Sequence, residues 1–248
     1  MRPAALPPLA ALAALGVLAG GCGGRADRAA APAPRATPAA TATPAPVPHG
    51  TPVRFRATDG VRLRGRLIPA TARHAPAVVL VHQSDGGPDQ FDAFLPYLRA
   101  AGYSALVYGS RPMPGRMDEA ANARDVAGAV ALLRREPRVD HRRIAVVGAS
   151  IGASAAAYLS FSRVGRSLPA IVGLSPADFA GDPPGGRHPH DVLLITDAAE
   201  RASADFIASG SHGIQVRTSP VGGHGVALLP DARVRGWVLG WLRARLGG

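Results

Sequence analysis

The chain has 248 residues, a formal net charge of +11 at pH 7 and one cysteine, Cys22. A single cysteine excludes an intramolecular disulfide, so stability must come from a packed core, for which the chain is long enough. Every basic residue is an arginine, and the arginines are scattered without a recognition motif. We therefore expect no nucleic-acid partner, and at most a weak attraction to anionic envelope surfaces.

The first 21 residues have the pattern of a secretory signal. Arg2 precedes a small and apolar stretch over residues 6–19, which is too short for a comfortable transmembrane helix. Cys22 follows small residues at the end of this stretch, so the segment resembles a bacterial lipobox, although Ala19 stands where leucine is usual. The resemblance implies cleavage before Cys22 and diacylation of its thiol, and two acyl chains make a stable membrane anchor. The alternative is ordinary secretion with an incidental cysteine.

The segment after Cys22 is rich in alanine, proline and threonine and shows no hydrophobic periodicity. Such a segment cannot bury a core, so its composition predicts a disordered, extended tether. The predicted organisation is a signal peptide over residues 1–21, a lipidated cysteine with its tether over residues 22–50, and one folded domain over residues 51–248.

Strand-like runs alternate with helical ones in the folded domain. This alternation predicts an α/β fold with a doubly wound, mostly parallel sheet. Helices are predicted over residues 118–135 and 234–246, and the stretch over residues 175–190 leaves room only for a short loop, so we expect no cap domain. Six strands are predicted, over residues 77–81, 104–108, 143–147, 170–174, 191–195 and 214–219.

Residues 148–152 read Gly-Ala-Ser-Ile-Gly, a G-x-S-x-G pattern. A β-branched run precedes them and a small, helix-prone run follows them, and this strand, turn and helix context is typical of a nucleophile elbow. The glycines let the strand and helix backbones approach closely and leave the serine at a strained apex. We therefore predict Ser150 as a nucleophile, with the N–H of Ile151 as an oxyanion donor.

A serine nucleophile needs a general base and an acid that orients it, and in this arrangement the acid precedes the histidine along the chain. His224 follows the predicted strand over residues 214–219 and so belongs at the carboxyl end of the sheet, where ligands bind. His212 precedes the same strand and belongs at the wrong end. His224 is the predicted base.

The acid has two candidates, Asp197 and Glu200, in the loop that leaves the predicted strand over residues 191–195. Glu200 has the longer reach towards the histidine and is preferred, and Asp197 is the alternative. Either carboxylate could instead be solvated, or could cap the helix that starts near Arg201.

The second oxyanion donor should come from the loop after an earlier strand. His82 and Gln83 follow the predicted strand over residues 77–81. We predict the N–H of Gln83 as the donor and expect its side chain to line the pocket. His82 is interpreted as a structural hydrogen-bonding residue rather than a catalyst.

Together these motifs resemble an α/β-hydrolase, and more narrowly the dienelactone-hydrolase-like branch found in bacteria. The resemblance covers residues 52–246 and implies a minimal α/β-hydrolase fold. The sequences that carry it are Asp-Gly-Val-Arg-Leu-Arg-Gly at residues 59–65, Leu-Val-His-Gln at 80–83, Val-Asp-His-Arg-Arg-Ile at 139–144, the elbow, Leu-Ser-Pro at 174–176 and Gly-His-Gly at 223–225.

The chain departs from the family pattern in four places, one of them being Ala153, where many members have glycine. Aspartate is usual where Glu200 is placed, and an Asp-Arg-Gly segment common after the fourth strand is replaced by residues 107–112. The dienelactone hydrolases proper use a cysteine nucleophile, so Ser150 indicates general esterase chemistry.

The sequence therefore predicts an extracytoplasmic serine hydrolase, anchored to the membrane through Cys22, that cleaves a small-molecule or lipid-like carboxylic ester. No cofactor and no metal are expected. Two alternatives remain open: a non-catalytic binding lipoprotein on a hydrolase scaffold, and acyl transfer or peptide hydrolysis by the same triad.

Overall fold

The computed structural model describes residues 47, 49–112, 118–177, 179 and 189–247. The predicted signal peptide, Cys22 and nearly all of the predicted tether lie outside these residues, as does much of the stretch for which no cap domain is expected. No helix in the described part of the chain is long and apolar enough to cross a bilayer.

In the described part of the chain, eight strands form one sheet in the order β1-β2-β4-β3-β5-β6-β7-β8. β1 and β2 pair as an antiparallel hairpin, β2 pairs antiparallel with β4, and all pairs from β4 through β8 are parallel. The α/β prediction with a mostly parallel sheet is therefore confirmed. The strands are β1 Thr51–Arg56, β2 Arg62–Ile68, β3 Ala75–Val81, β4 Ser104–Gly109, β5 Val139–Ala149, β6 Ala170–Leu174, β7 Val192–Thr196 and β8 Ile214–Thr218.

Helices cover both faces of the sheet, as a doubly wound arrangement requires. One apolar cluster joins the sheet to α2, α3 and α4, and a second joins it to α1 and α5. Strand residues alternate between the clusters: Val79 belongs to the first, and Val78 and Leu80 belong to the second. The helices are α1 Leu95–Ala100, α2 Glu119–Leu133, α3 Ile151–Ser160, α4 Arg201–Ala208 and α5 Ala232–Leu246.

β5 is longer than its predicted range. Near its start, Val139 pairs with Ala75 of β3 across a register irregularity, and at its end the strand continues through Ala149. The strand therefore delivers the chain directly to Ser150. The short helix α1 was not predicted, because six residues with a proline in the first turn give too little periodicity to recognise.

An ion-pair network holds the loop after β4, where the family's Asp-Arg-Gly segment is replaced. Arg111 contacts Asp59 Oδ2 at 2.8 Å and Asp125 Oδ1 through its Nε at 2.9 Å, which joins the turn of the opening hairpin to α2. The hydrogen bond from Arg111 holds the pKa of Asp59 well below its usual range, with a smaller contribution from Arg124. Because the folded-state pKa is lowered, this stabilisation is present above the unfolded-state pKa and is lost as the pH falls towards the folded-state value.

Candidate active site

Ser150 stands at the sharp turn between β5 and α3. Its backbone has φ 51° and ψ −118°, a conformation that is rare for residues other than glycine and that marks strained functional sites. Its N–H donates to Leu174 O at 2.8 Å, which fixes the turn to the end of β6. Ile151 opens α3, where backbone N–H groups have no acceptor within the helix. This is the geometry expected of a nucleophile elbow.

The two glycines of the elbow are required by close backbone contacts. A Cβ atom on Gly148 would lie 2.1 Å from Gly152 O, and one on Gly152 would lie 2.3 Å from Val81 O. Both distances are far inside van der Waals contact, so neither position accepts a side chain without backbone movement. The G-x-S-x-G pattern therefore has a steric cause in this fold.

We expect Gly152→Ala to lower the free energy of unfolding by about 3 kcal/mol, because the added methyl group would overlap a backbone carbonyl. Gly236→Ala in α5 is the matched control, since a Cβ there would meet nothing within 4 Å. That exposed helical change should raise stability by about 0.5–1 kcal/mol. Urea denaturation measures both, and equal effects of the two changes would contradict the steric argument.

His224 and Glu200 form the hydrogen-bonded pair that the triad prediction requires. The distance from His224 Nδ1 to Glu200 Oε1 is 2.6 Å, and the two side chains are 47% and 33% exposed. Because Nδ1–H donates to the carboxylate, Nε2 is left free to accept a proton. The histidine loop also packs on the elbow, because a Cβ on Gly225 would lie 3.4 Å from Ala149 Cβ. The Ser150 hydroxyl makes no hydrogen bond to His224 in this structure. The distance between a nucleophile and its base is often long until a substrate binds.

Asp197, the alternative acid, contacts backbone groups instead of the imidazole. Its Oδ1 accepts from the N–H of Glu200 at 3.0 Å, and its Oδ2 accepts from the N–H of Gly223 at 3.4 Å. The carboxylate thus ties the loop of the acid to the loop of the base. The geometry favours Glu200 as the residue that orients His224, and Asp197 as the residue that holds the two loops together.

The N–H of Gln83, the predicted second oxyanion donor, donates to Gln90 Oε1 at 3.2 Å. A substrate oxygen that used this N–H would replace the amide oxygen of Gln90. The side chains of Gln83 and Gln90 both donate to Asp85 Oδ1, at 2.9 Å and 3.0 Å. These bonds, with that from Gln83 the larger cause, lower the pKa of Asp85.

The Gln83 side chain, expected to line the pocket, joins two loops instead. Its Oε1 accepts from the N–H of Val226 at 3.0 Å, and a Cβ on Gly225 would lie 2.1 Å from the same oxygen. The oxyanion loop and the base loop are thereby linked through one side chain. The sequence could not show this, because the bonded residues are far apart in the chain.

His82 has the structural role that was expected. Its Nδ1 donates to Gln83 O at 2.7 Å, and its Nε2 accepts from the N–H of Ser110 at 3.0 Å. Because both ring nitrogens are used by backbone groups, neither is available for proton transfer to a substrate.

Three features of the site were not predicted from the sequence. Gln90 contacts the oxyanion donor, and no motif marks it. Ser175 directly follows β6 and has φ 50°, and Thr196 is the last residue of β7. The hydroxyls of both are buried without a hydrogen-bond partner among the described residues. The positive φ of Ser175 could not be read from the sequence, which has no glycine there.

Solved structures match this arrangement of strands and helices. A dienelactone hydrolase of Anabaena variabilis is similar with a TM-score of 0.63 and 19% identity, over 79% of this chain and 99% of that one. An esterase of Pyrococcus furiosus gives a TM-score of 0.63 and 16% identity, over 79% and 93%. The α/β hydrolase GrgF of Penicillium sp. sh18 gives 0.62 and 14%, over 80% and 99%. This chain has the α/β-hydrolase fold.

Sequence comparison finds two further similar proteins. A thiohydrolase of Arthrinium phaeospermum is 32% identical over 164 residues, which is 60% of this chain and 51% of that protein. An uncharacterized protein of Mycobacterium tuberculosis is 33% identical over 126 residues, covering 49% of this chain and 45% of the other. The chain thus spans about half the length of the curated relatives that it matches. No family model matches the sequence.

The predicted triad residues follow the chain order Ser150, Glu200, His224, and each lies beyond the carboxyl end of its strand: β5, β7 and β8 respectively. Within the described ranges, no group of three or more His, Cys, Asp or Glu residues could hold a metal ion.

Proposed function

We propose that this protein is a serine hydrolase of carboxylic esters, anchored to the cell envelope through Cys22. The observation that carries the proposal is the strained Ser150 turn beside a His224–Glu200 pair with a 2.6 Å hydrogen bond. The α/β-hydrolase fold supports it, since an esterase and a dienelactone hydrolase share this fold with the chain.

In the proposed reaction, Ser150 Oγ attacks the ester carbonyl carbon while His224 Nε2 takes its proton. The negative charge on the former carbonyl oxygen is held by the N–H groups of Ile151 and Gln83, each worth about 3–4 kcal/mol in the transition state. His224 returns the proton to the leaving alkoxide as the C–O bond breaks. Water, activated by the same imidazole, then hydrolyses the acyl-enzyme. Glu200 holds the ring in orientation throughout.

A groove of about 820 Å³ beside the site suits an apolar acyl group. Its walls include Gln90 at the oxyanion loop and Val226 two residues after the base, together with apolar residues such as Phe94 and Leu229. The polar part of the lining also includes His49, Arg66, Asp92 and Arg235. Such a groove favours aliphatic or aromatic groups over charged ones.

The two arginines of the groove wall are already engaged. Arg66 pairs with Asp92 at 2.7 Å, and Arg235 donates to Leu229 O and stacks 4.3 Å above the Tyr97 ring. Neither guanidinium is therefore available as the main partner of an anionic substrate. The proposed substrate is a neutral, lipid-like ester.

Ala227→Trp should lower activity selectively towards long acyl chains, because Ala227 lies in the groove wall and the indole would fill the space beside it. We expect the ratio of kcat/KM for octanoyl to acetyl esters to fall about tenfold. Ala244→Trp, on the exposed face of α5, is the matched control and should leave the ratio unchanged. A fall of this ratio in both variants, or in neither, would place the acyl group outside this groove.

A thioester is the second candidate substrate, because the chain is similar over 164 residues to a thiohydrolase. The triad would attack a thioester carbonyl in the same way and expel a thiolate. Rates for p-nitrophenyl acetate, an acyl-thioester and a peptide p-nitroanilide, each with the parent protein and with His224→Ala, test the proposal. Turnover of the oxyester that His224→Ala abolishes supports ester hydrolysis. Turnover of the thioester or anilide alone would reassign the substrate, and a folded protein inactive on all three would favour a non-catalytic binding protein.

A further inference from the structure

One face of the β1–β2 hairpin carries four exposed arginines, which we call the arginine face: Arg54 and Arg56 on β1, Arg62 and Arg64 on β2. The strand register places Arg54 directly opposite Arg64, and Arg56 directly opposite Arg62. The four guanidinium groups therefore form two cross-strand pairs of like charge on one surface.

The opposite face of the hairpin is part of the core. Phe55 and Leu63 alternate with the arginines along the strands and pack into the cluster beneath α2. β1 is the edge strand of the sheet formed by the described residues. The arginine face is thus a solvent-facing surface with a rigid backing.

Like charges directly opposite one another destabilise an antiparallel strand pair. The four arginines therefore lower the stability of the hairpin unless a binding partner offsets their repulsion. The structure gives none of the four arginines a carboxylate partner among the described residues, and Arg56 donates only to Gly60 O. The next arginine on the same face, Arg66, shows the contrast: it pairs with Asp89 at 3.1 Å and Asp92 at 2.7 Å.

The arginine face borders the proposed catalytic region. Arg64 pairs in register with Gly109, at the carboxyl end of β4, which is the end of the sheet that carries Ser150. From β2 to β5 there are three strand spacings, or about 14 Å. Arg66 continues the arginine row and lines the wall of the apolar groove.

We propose that the arginine face is a docking surface for an anionic phospholipid bilayer. A shallow depression of about 340 Å³ framed by the four arginines offers a seat for a headgroup phosphate. The surface belongs to an exposed hairpin at the edge of the sheet, which a bilayer can reach. Phe55, the aromatic residue of the depression, is partly buried against the core, which leaves little of its ring for stacking with nucleic-acid bases. This proposal does not depend on the proposed hydrolysis.

The test is sedimentation of the full chain carrying Cys22→Ser, which removes the predicted acylation site. Vesicles of phosphatidylcholine alone are compared with vesicles that also contain phosphatidylglycerol. Binding should require phosphatidylglycerol and weaken as salt is raised. R54Q/R64Q should weaken it about 30-fold, or about fivefold for each arginine. R56Q/R62Q, the second pair, should have a similar effect.

R142Q/R243Q is the matched control, because it removes the same charge from two exposed arginines of β5 and α5 outside the arginine face. It should weaken binding no more than a few-fold. The variants of the arginine face should keep the parent Tm or exceed it, since like-charge pairs are removed, and should hydrolyse soluble esters at the parent rate. Equal losses in the control, equal binding to both vesicle types, or stronger arginine-dependent binding to duplex DNA would overturn the proposal. Loss of vesicle binding in millimolar inorganic phosphate at constant ionic strength would also overturn it, in favour of a discrete phosphate site.

Discussion

Ser150→Ala will lower kcat for an aryl ester by at least about 10⁴-fold, because the change removes the atom that forms the acyl-enzyme and leaves only binding and oxyanion stabilisation. The fold should be retained. Alanine keeps the same Cβ at the strained backbone position, and the Ser150 hydroxyl makes no hydrogen bond to the described residues. Initial rates with p-nitrophenyl acetate, together with Tm, measure both effects.

Ser154→Ala is the control for the loss of a serine hydroxyl nearby. Ser154 lies one turn further along α3, and its Oγ donates to Ala177 O and accepts from Ala177 N–H, each at 3.0 Å. Its removal should cost about 1–3 kcal/mol of stability, with a change in kcat of less than about tenfold. Full activity of Ser150→Ala, or a comparable loss in Ser154→Ala, would remove Ser150 from the mechanism.

Glu200→Gln will lower kcat by about 10³-fold with little change in KM. The glutamine amide can present N–H to His224 Nδ1 and so favour the tautomer that cannot accept a proton at Nε2. We expect a smaller loss in kcat than for a fully buried acid, because Glu200 is 33% exposed and water can partly replace its hydrogen bond to His224. Steady-state kinetics separate kcat from KM, and a loss confined to KM would mean that Glu200 only shapes the site.

Asp197→Asn is the matched comparison, since it removes a carboxylate of the same loop. An asparagine oxygen can still accept from the N–H of Glu200, so we expect less than about a tenfold loss in kcat and about 1 kcal/mol in stability. A larger loss in kcat for Asp197→Asn than for Glu200→Gln would make Asp197 the acid and Glu200 the residue that holds the two loops together.

The sequence predicted the elements that have a local or periodic signal. The β-branched run before Ser150 and the small residues after it define the elbow, and the alternation of strands and helices defines the sheet. His224 was predicted as the base because it follows its strand and therefore belongs at the carboxyl end of the sheet. The preference for Glu200 came from its reach and its offset in the loop, and in the structure its carboxylate lies 2.6 Å from His224 Nδ1.

The contacts that organise the site could not be predicted, because they join residues that are distant in sequence. Gln83 reaches Val226, and Asp197 reaches Gly223, only after the loops meet at the carboxyl ends of the strands. The arginine face is likewise invisible in a sequence with scattered arginines. It arises only when the register of β1 on β2 places its members opposite one another.

The central claim is that Ser150 is an activated nucleophile, and covalent labelling tests it most directly. A fluorophosphonate reacts with a serine whose proton is removed by a neighbouring base, and it needs no knowledge of the substrate. The account predicts one adduct, located by mass spectrometry on the peptide containing Ser150, and strongly reduced in His224→Ala. A folded protein that stays unlabelled, or that carries the label on another serine, would contradict it.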